Sequence, residues 1–408
     1  MRTDVSVADA LAAVVAGARP LPSERVALVE APGRTLAADV ASPGPLPPFD
    51  TSARDGYAVR RADLAALPAV VPLAHTVHAG PGTGGALPPG AVAGVMTGAP
   101  LPAGADAVVP VEWTERLDDG RVRVERQPAA EQFVRRAGGA LASGAVVARA
   151  GEVVTPGSVA ALAAVGVGEV EVRRRPRVAV VTTGDEVVAP GVPLGPGQIW
   201  DANGPGLAAQ VRAAGGVVRG PVHARDDIAS IAAALDAAHD ADVLVIAGGV
   251  SVGEHDHVRP VLTDRGTDWA FYRVRQRPGR PLTFGTLDGR PVLGLPGNPV
   301  SAAVCFEVYA RPLLTALLGR PAEAIPRPAV LAEPIASPAG LYTFARVTAG
   351  PGADGRPRLR SAGAQASHAV RSLHAADGLA HLPADAQEVP AGAEVPFQPW
   401  SWSPPLPF

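Results

Sequence analysis

Residues 241–256 read ADVLVIAGGVSVGEHD. From Val243 to Ala247 every side chain is apolar, without the alternation of a half-wetted strand, and the run halts at Gly248 and Gly249. An unbroken apolar run of this length that stops at glycines predicts a strand buried on both faces and running into a loop. The flanking segments repeat the theme. RVAVVTTGDE (177–186) is another continuous strand ending in a polar loop, GPGLAAQVRAAG (204–215) is helical, and GVVRGPVHARDD (216–227) is extended. IASIAAALDAAH (228–239) is helical again, and RPVLGLPG (290–297) leads into the helix VSAAVCFEVYARPLLTALLG (300–319). Buried strands alternating with amphipathic helices predict a three-layer α/β/α domain over 174–319, built on a mainly parallel sheet. Ligands of such sheets bind beyond the carboxyl ends of the strands, where the polar residues of this region sit.

Outward from that core the texture changes. Residues 46–142 are short strands broken by Gly and Pro turns, a mostly β domain. Residues 1–45, a helix and short extended pieces, are expected to join 143–173 in a discontinuous N-terminal domain. After 320, alternating segments such as YTFARVTA (342–349) and RPRLRSAG (356–363) predict a small antiparallel barrel or sandwich over 320–408.

Composition excludes several functions. The net charge of −3 offers no general attraction to nucleic acid or an acidic membrane, and aromatics at 4% are too few for a base-stacking platform. All 36 basic residues are Arg, a coding bias shared with the heavy use of Ala, Gly and Pro. The single cysteine, Cys305, rules out an internal disulfide and a cysteine-built zinc site, and its apolar neighbours predict a buried thiol. At the N-terminus, Asp4 and Asp9 interrupt what resembles a signal peptide, while Val7, Leu11, Val14, Val15 and Ala18 line one helical face. No run is expected to span a bilayer. The expected compartment is the cytoplasm.

Several loops can carry chemistry, each with a plain structural alternative. PPFDTSARDGYAV (47–59) sets Asp50 and Asp55 among small residues, with Asp55-Gly56 readable as a turn or as an acid offered to a metal or anion site. TTGDEVVAP (182–190) presents Asp185 and Glu186 after a strand. In AGGVSVGEHDH (247–257) the amides of Gly248, Gly249 and Gly253 and the Ser251 hydroxyl can hold a phosphate. There Asp256 starts a helix between His255 and His257, a spacing poor for sharing an ion. GLPGNPVSAAV (294–304) opens a helix at Pro299, with Ser301 and free amides as an anion seat or a plain helix start. RQRPGRPLTFG (275–285) fixes Arg277 and Arg280 around a Pro-Gly turn, able to clamp a phosphate or tetrahedral oxyanion. Dinucleotide and P-loop spacings are absent, as are a Ser/His/Asp elbow and H-E-x-x-H. Acids, glycine loops and paired arginines together suggest a phosphate-bearing ligand handled with a divalent cation.

Read in order, FDTSARDGYAV (49–59), GVMTGAPLPAGADAVVPVE (94–112), TTGDEV (182–187), GQIWDANG (197–204), ARDD (224–227), GGVSVGEHD (248–256), RPGRPLTFG (277–285), GLPGNPVSA (294–302) and GAQASH (363–368) resemble the molybdopterin molybdenumtransferase family, MoeA and the gephyrin E domain. The resemblance spans 49–368. It implies a four-domain, elongated homodimer with a MogA-like, molybdopterin-binding third domain. It also implies a reaction joining molybdate to adenylylated molybdopterin, with Mg²⁺ or another divalent cation, in which AMP is released. By position it implies catalytic roles for Asp55, Thr97 and Glu186, with Asp55, Glu186 and Asp256 at the metal. Asp226 or Asp227, Gly249, Ser251, Pro299 and Ser301 fall at the pterin nucleotide, and Arg277, Arg280, Pro281, Arg346 and Ser367 at molybdate and nearby phosphate. Its implied partners are a molybdopterin adenylyltransferase and recipient molybdoenzymes, with no nucleic acid and no membrane. Three departures stand out. Arg277 and Arg280 replace Lys, Thr51 replaces Asn, and in RRAGGAL (135–141) Gly139 and Ala140 replace an expected Glu and Asp. That last loss keeps open a divergent paralogue that binds the pterin nucleotide with little turnover. A dimeric scaffold protein is the third reading.

Overall fold

Side chains of a strand point alternately to opposite faces, so a strand apolar at every position needs a core on each side. The computed structural model, which describes residues 1–250, 256–321 and 326–403, provides both. Val178 and Val180, Val243, Val245 and Ala247, and Leu293 and Leu295 point into one core; Ala179 and Val181, Leu244 and Ile246, and Val292 point into another. The helix Asn203–Ala213 and the helical stretch from Pro299 cover the first face; Ile228–Ala237 and Val258–Asp264 cover the second. The sheet has seven strands in the order Arg2–Val5, Asp268–Val274, Thr283–Leu287, Arg290–Leu295, Val243–Ala247, Arg177–Thr183 and Val217–Ala224. Thr283–Leu287 runs against both neighbours, and all other pairings are parallel. The three-layer, mainly parallel architecture is as expected.

The N-terminus departs from expectation. Strand Arg2–Val5 adds in parallel to Asp268–Val274, with Val5 opposite Val274. Helix Val7–Ala16, capped by the Ser6 hydroxyl accepting from the Asp9 N–H at 3.1 Å, buries Ala10 and Val14 in the first core. The reason is physical: an apolar helical face is buried wherever a complementary surface exists, and chain order does not choose that surface. Accordingly the chain forms two compact units. One comprises Met1–Glu24, Gly33–Ala37 and Val172–Phe408; the other comprises Arg25–Pro32 and Ala38–Glu171.

Two further corrections concern the helical stretch after the GLPGN turn. It is not one regular α-helix: Pro299–Cys305 and Arg311–Leu317 flank a π-helical segment, Phe306–Ala310. There Glu307 is fully buried, paired with Arg311 at 2.7 Å and accepting from the N–H and hydroxyl of Ser401 at 3.1 and 3.0 Å. Pro299–Leu317 is also, at 19 residues, long and apolar enough to cross a membrane, contrary to the sequence reading. Its apolarity is used inside the protein, where 78% of its most apolar 18 residues is buried.

In the same unit, strands Arg327–Leu331, Tyr342–Gly350, Arg358–Ser361, Gly378–Leu382 and Glu394–Pro399 close into a small barrel around Ala345, Val347, Leu359 and Phe397. It is antiparallel except where Arg327–Leu331 meets Arg358–Ser361 in parallel. The second unit carries a six-stranded sheet in the order Ala107–Pro110, Gly56–Val59, Val92–Val95, Ala69–Val77, Arg121–Val124 and Thr114–Arg116.

Candidate functional site

In the second unit the acid of the DGY stretch finds a defined partner. Asp55 ends the bend before strand Gly56–Val59, and its Oδ1 accepts from the Thr97 backbone N–H at 2.7 Å and the Thr97 hydroxyl at 2.9 Å. Those two hydrogen bonds, the backbone one foremost, hold the exposed Asp55 carboxyl below its ordinary pKa and keep it ionised. Two residues expected at the chemistry are therefore in direct contact, although 42 positions separate them. Gly56 is not a turn glycine. A Cβ there would lie 2.0 Å from the Val109 carbonyl oxygen, so the position must be bare for the two strands to pair. Asp50 also does more than shape a turn: it pairs with Arg136 and accepts from the Ala137 N–H at 2.8 Å. Those contacts, led by the Ala137 bond, lower its pKa. Gly139 and Ala140 follow in an exposed turn, with no side-chain oxygen to offer.

In the first unit the strands Arg177–Thr183, Val243–Ala247 and Arg290–Leu295 all end at one pocket of about 540 Å³. Glu186, Asp226, Gly249, Asp256 and Pro299 line it, and so does Pro281, which the family resemblance had set beside the arginines. Gly248 and Gly249 have φ of +97° and +60°, and a Cβ on either would press against Thr183. The glycines thus turn the chain back beneath the pocket floor. Thr183 is 7% exposed and, among the described residues, its hydroxyl has no hydrogen-bond partner. Asp226 and Asp185 brace one another, each carboxylate accepting the other's backbone N–H at 3.2 Å. Asp227 instead caps helix Ile228–Ala237, accepting from the Ser230 N–H at 2.8 Å, so Asp226 alone of that pair faces the pocket. Ser301 is 3% exposed and does not line the pocket, because the helix turns its face into the core. Ser251 lies outside the described residues.

The two arginines of the RPGRP turn part company. Arg280 donates from Nε and Nη2 to Asp4 Oδ1 at 3.2 and 3.0 Å, an ion pair that sequence distance concealed. Arg277 pairs with Thr343 across the short strand Gln276–Arg277 and shares a narrow crevice with Arg346 and Gln365. Arg346 is 1% exposed, yet its bonds go to neutral groups: the Ser372 hydroxyl at 3.0 Å and the Ala364 and Ala366 carbonyls at 3.1 and 3.2 Å. Burial, reinforced by the Arg277 charge, pulls its guanidinium down to about 10. A buried cation that bonds only to neutral groups among the described residues suits an arriving anion. Ser367, half-buried, follows Ala366 on that loop.

Sequence reasoning passed over Trp200, Asp201, Asn203 and Gln365. Asp201 accepts from the Thr182 hydroxyl at 3.0 Å and the Gly204 N–H at 2.8 Å, while Asn203 ties its helix to the Gly297 carbonyl at 2.7 Å. The signal was present in GQIWDANG and GAQASH, but polar residues in a loop do not announce which of them face inward. Among the described residues no three acids, histidines or cysteines converge on a metal site. The donors fit Mg²⁺, which keeps most of its waters and needs only one or two carboxylates, such as Glu186 and Asp226.

Acids and glycine turns at the strand ends of an α/β/α unit, with a buried arginine within a strand of its barrel, form the kind of protein that can hold an anionic ligand. Three family models match along the chain: the MoeA N-terminal region (domain I and II) over 5–166, a probable molybdopterin binding domain over 179–316, and the MoeA C-terminal region (domain IV) over 328–400. The chain belongs to the MoeA, or molybdopterin molybdenumtransferase, family. It is 41% identical over 381 residues to molybdopterin molybdenumtransferase 2 of Mycobacterium tuberculosis, covering 91% of this chain and 93% of that one. It is 36% identical over 386 residues to the molybdopterin molybdenumtransferase of Synechococcus elongatus, covering 92% and 94%. The crystal structure of the molybdopterin biosynthesis MoeA protein of Pyrococcus horikosii superposes with a TM-score of 0.84 at 32% identity, covering 97% and 98%.

Proposed function

We propose that this chain is a molybdopterin molybdenumtransferase of molybdenum cofactor biosynthesis, which joins molybdate to adenylylated molybdopterin. Molybdenum is taken up at the dithiolene, the pyrophosphate is cleaved, and AMP leaves. The observation that carries this reading is Arg346, buried with neutral partners beside Arg277, in the unit whose glycine-lined pocket takes the nucleotide. Molybdate, a compact dianion, offers both guanidiniums the charge they lack. Glu186 and Asp226 would hold a divalent cation such as Mg²⁺, which would supply neutralisation of charge at the pyrophosphate. Asp55, kept ionised by Thr97, serves the same reaction, and Asp256 lines the nucleotide pocket. On this reading the working form is a homodimer in the cytoplasm, supplied by an adenylyltransferase and delivering cofactor to molybdoenzymes.

The deciding experiment supplies purified protein with adenylylated molybdopterin, Mg²⁺ and molybdate and follows AMP. Molybdate-dependent release is expected; ligand binding without it would sink the transferase reading. Gly139 and Ala140 favour a second reading, a paralogue that binds the pterin nucleotide and turns it over slowly. Ala140→Asp tests it. An increase in AMP release of about tenfold or more supports the slow paralogue, as expected if a missing charge-stabilising group is restored. An unchanged rate means that no acid is needed there.

A further inference from the structure

The nucleotide pocket is lined by two unlike sets of residues. One consists of turns rich in glycine and proline, at 248–250 and 296–299, which offer backbone amides and carbonyls. The other is formed by Val187, Ile199 and Trp200. Among the described residues Trp200 is the one aromatic ring that lines the pocket. Its indole N–H donates to the Val192 carbonyl at 2.7 Å, so its polar edge is satisfied within the protein. Its backbone is fixed as well, since Ile199 N–H donates to the Glu186 carbonyl and Asp201 N–H to the Val188 carbonyl, each at 2.8 Å. The ring is thus held relative to Glu186 and Asp201, yet Trp200 remains 53% exposed. A tryptophan usually buries most of its large surface, so a fixed and half-exposed ring that lines a pocket is set to receive something flat. Nor is it an accident of plentiful aromatics, which make up only 4% of this chain.

We propose that Trp200 is a substrate-binding residue that stacks on a flat heteroaromatic ring of the substrate, while the glycine turns of the same pocket take its phosphates. This rests on the proposed function, whose substrate carries two such rings, the pterin and the adenine. Stacking tolerates many ring types because every heteroaromatic ring has a π-face, so Trp200 selects for flatness and leaves hydrogen-bond discrimination to other groups. Phenylalanine at this position keeps a face, whereas leucine keeps apolar bulk without one.

Calorimetric titration of wild type, Trp200→Ala, Trp200→Leu and Trp200→Phe with adenylylated molybdopterin tests the assignment without needing turnover. The Ala and Leu variants are expected to bind about tenfold more weakly, equal to about 1.4 kcal/mol, and the Phe variant within about threefold of wild type. Separate titrations with AMP and with 6-hydroxymethylpterin identify the ring, since only the one stacked on Trp200 loses affinity in the Ala variant. Equal affinity in wild type and Trp200→Ala overturns the proposal, as does a variant that changes only self-association in sedimentation, which would mark these residues as a protein contact. A wild type that binds none of the three ligands defeats the proposed function itself, and this is read before any variant is compared.

Discussion

Asp55 is an exposed carboxylate whose two hydrogen bonds come from a single residue, and its consequences can be measured. Asp55→Ala and Glu186→Ala are each expected to lower AMP release at least about a hundredfold, with unchanged circular dichroism and melting temperature, as for loss of a charge-stabilising group. Wild-type rates in either variant would make that acid structural. Thr97→Val removes the hydroxyl bond and leaves the backbone one, so the Asp55 carboxyl should titrate at higher pH when followed by NMR. The sign follows from linkage. Because the folded pKa lies below the ordinary value of an aspartate carboxyl, the stabilisation is present above that ordinary value and is lost as pH falls through the folded pKa. An unmoved titration in Thr97→Val would assign the whole shift to the backbone N–H.

At the scale of elements, the strand-to-helix loops sort acids into structural and functional ones. Asp227 and Asp226 are adjacent, yet the first caps helix Ile228–Ala237 and the second lines the pocket. Asp227→Ala should therefore cost about 1 kcal/mol in urea unfolding, the usual worth of an N-cap, and leave ligand affinity near wild type. Asp226→Ala should show the reverse pattern, with weakened Mg²⁺-dependent binding and little change in stability. If Asp227→Ala is the variant that loses binding, the assignment of the two is inverted. Much at this scale was legible in the sequence. The strands Arg177–Thr183 and Val243–Ala247, the helices between them and the glycine stops all follow from local periodicity and turn chemistry. The division of labour between Asp226 and Asp227 was not, because it depends on one residue of helix phase. Nor was the Arg280–Asp4 pair, which joins positions 276 apart.

At the scale of the whole molecule, the N-terminal segment is part of the α/β/α unit. Val14, 1% exposed in its first core, carries the test: Val14→Asp buries an unpaired charge and should destabilise that unit by roughly 3 kcal/mol or more. Hydrogen exchange should then speed up in strand Asp268–Val274, which pairs with Arg2–Val5. Loss of protection confined to Gly56–Val59 and its neighbours would instead place the segment with the other unit. The sequence by itself determined the α/β/α core, the small C-terminal β domain and the family, because patterning and motifs are properties of neighbours along the chain. Only the tertiary structure decided that residues 2–5 complete the large sheet, that Arg346 is buried with only neutral bonding partners among the described residues, and that Thr97 holds Asp55. Each of these is a contact between distant segments, set by which surfaces and charges are left to be satisfied once the local elements have formed.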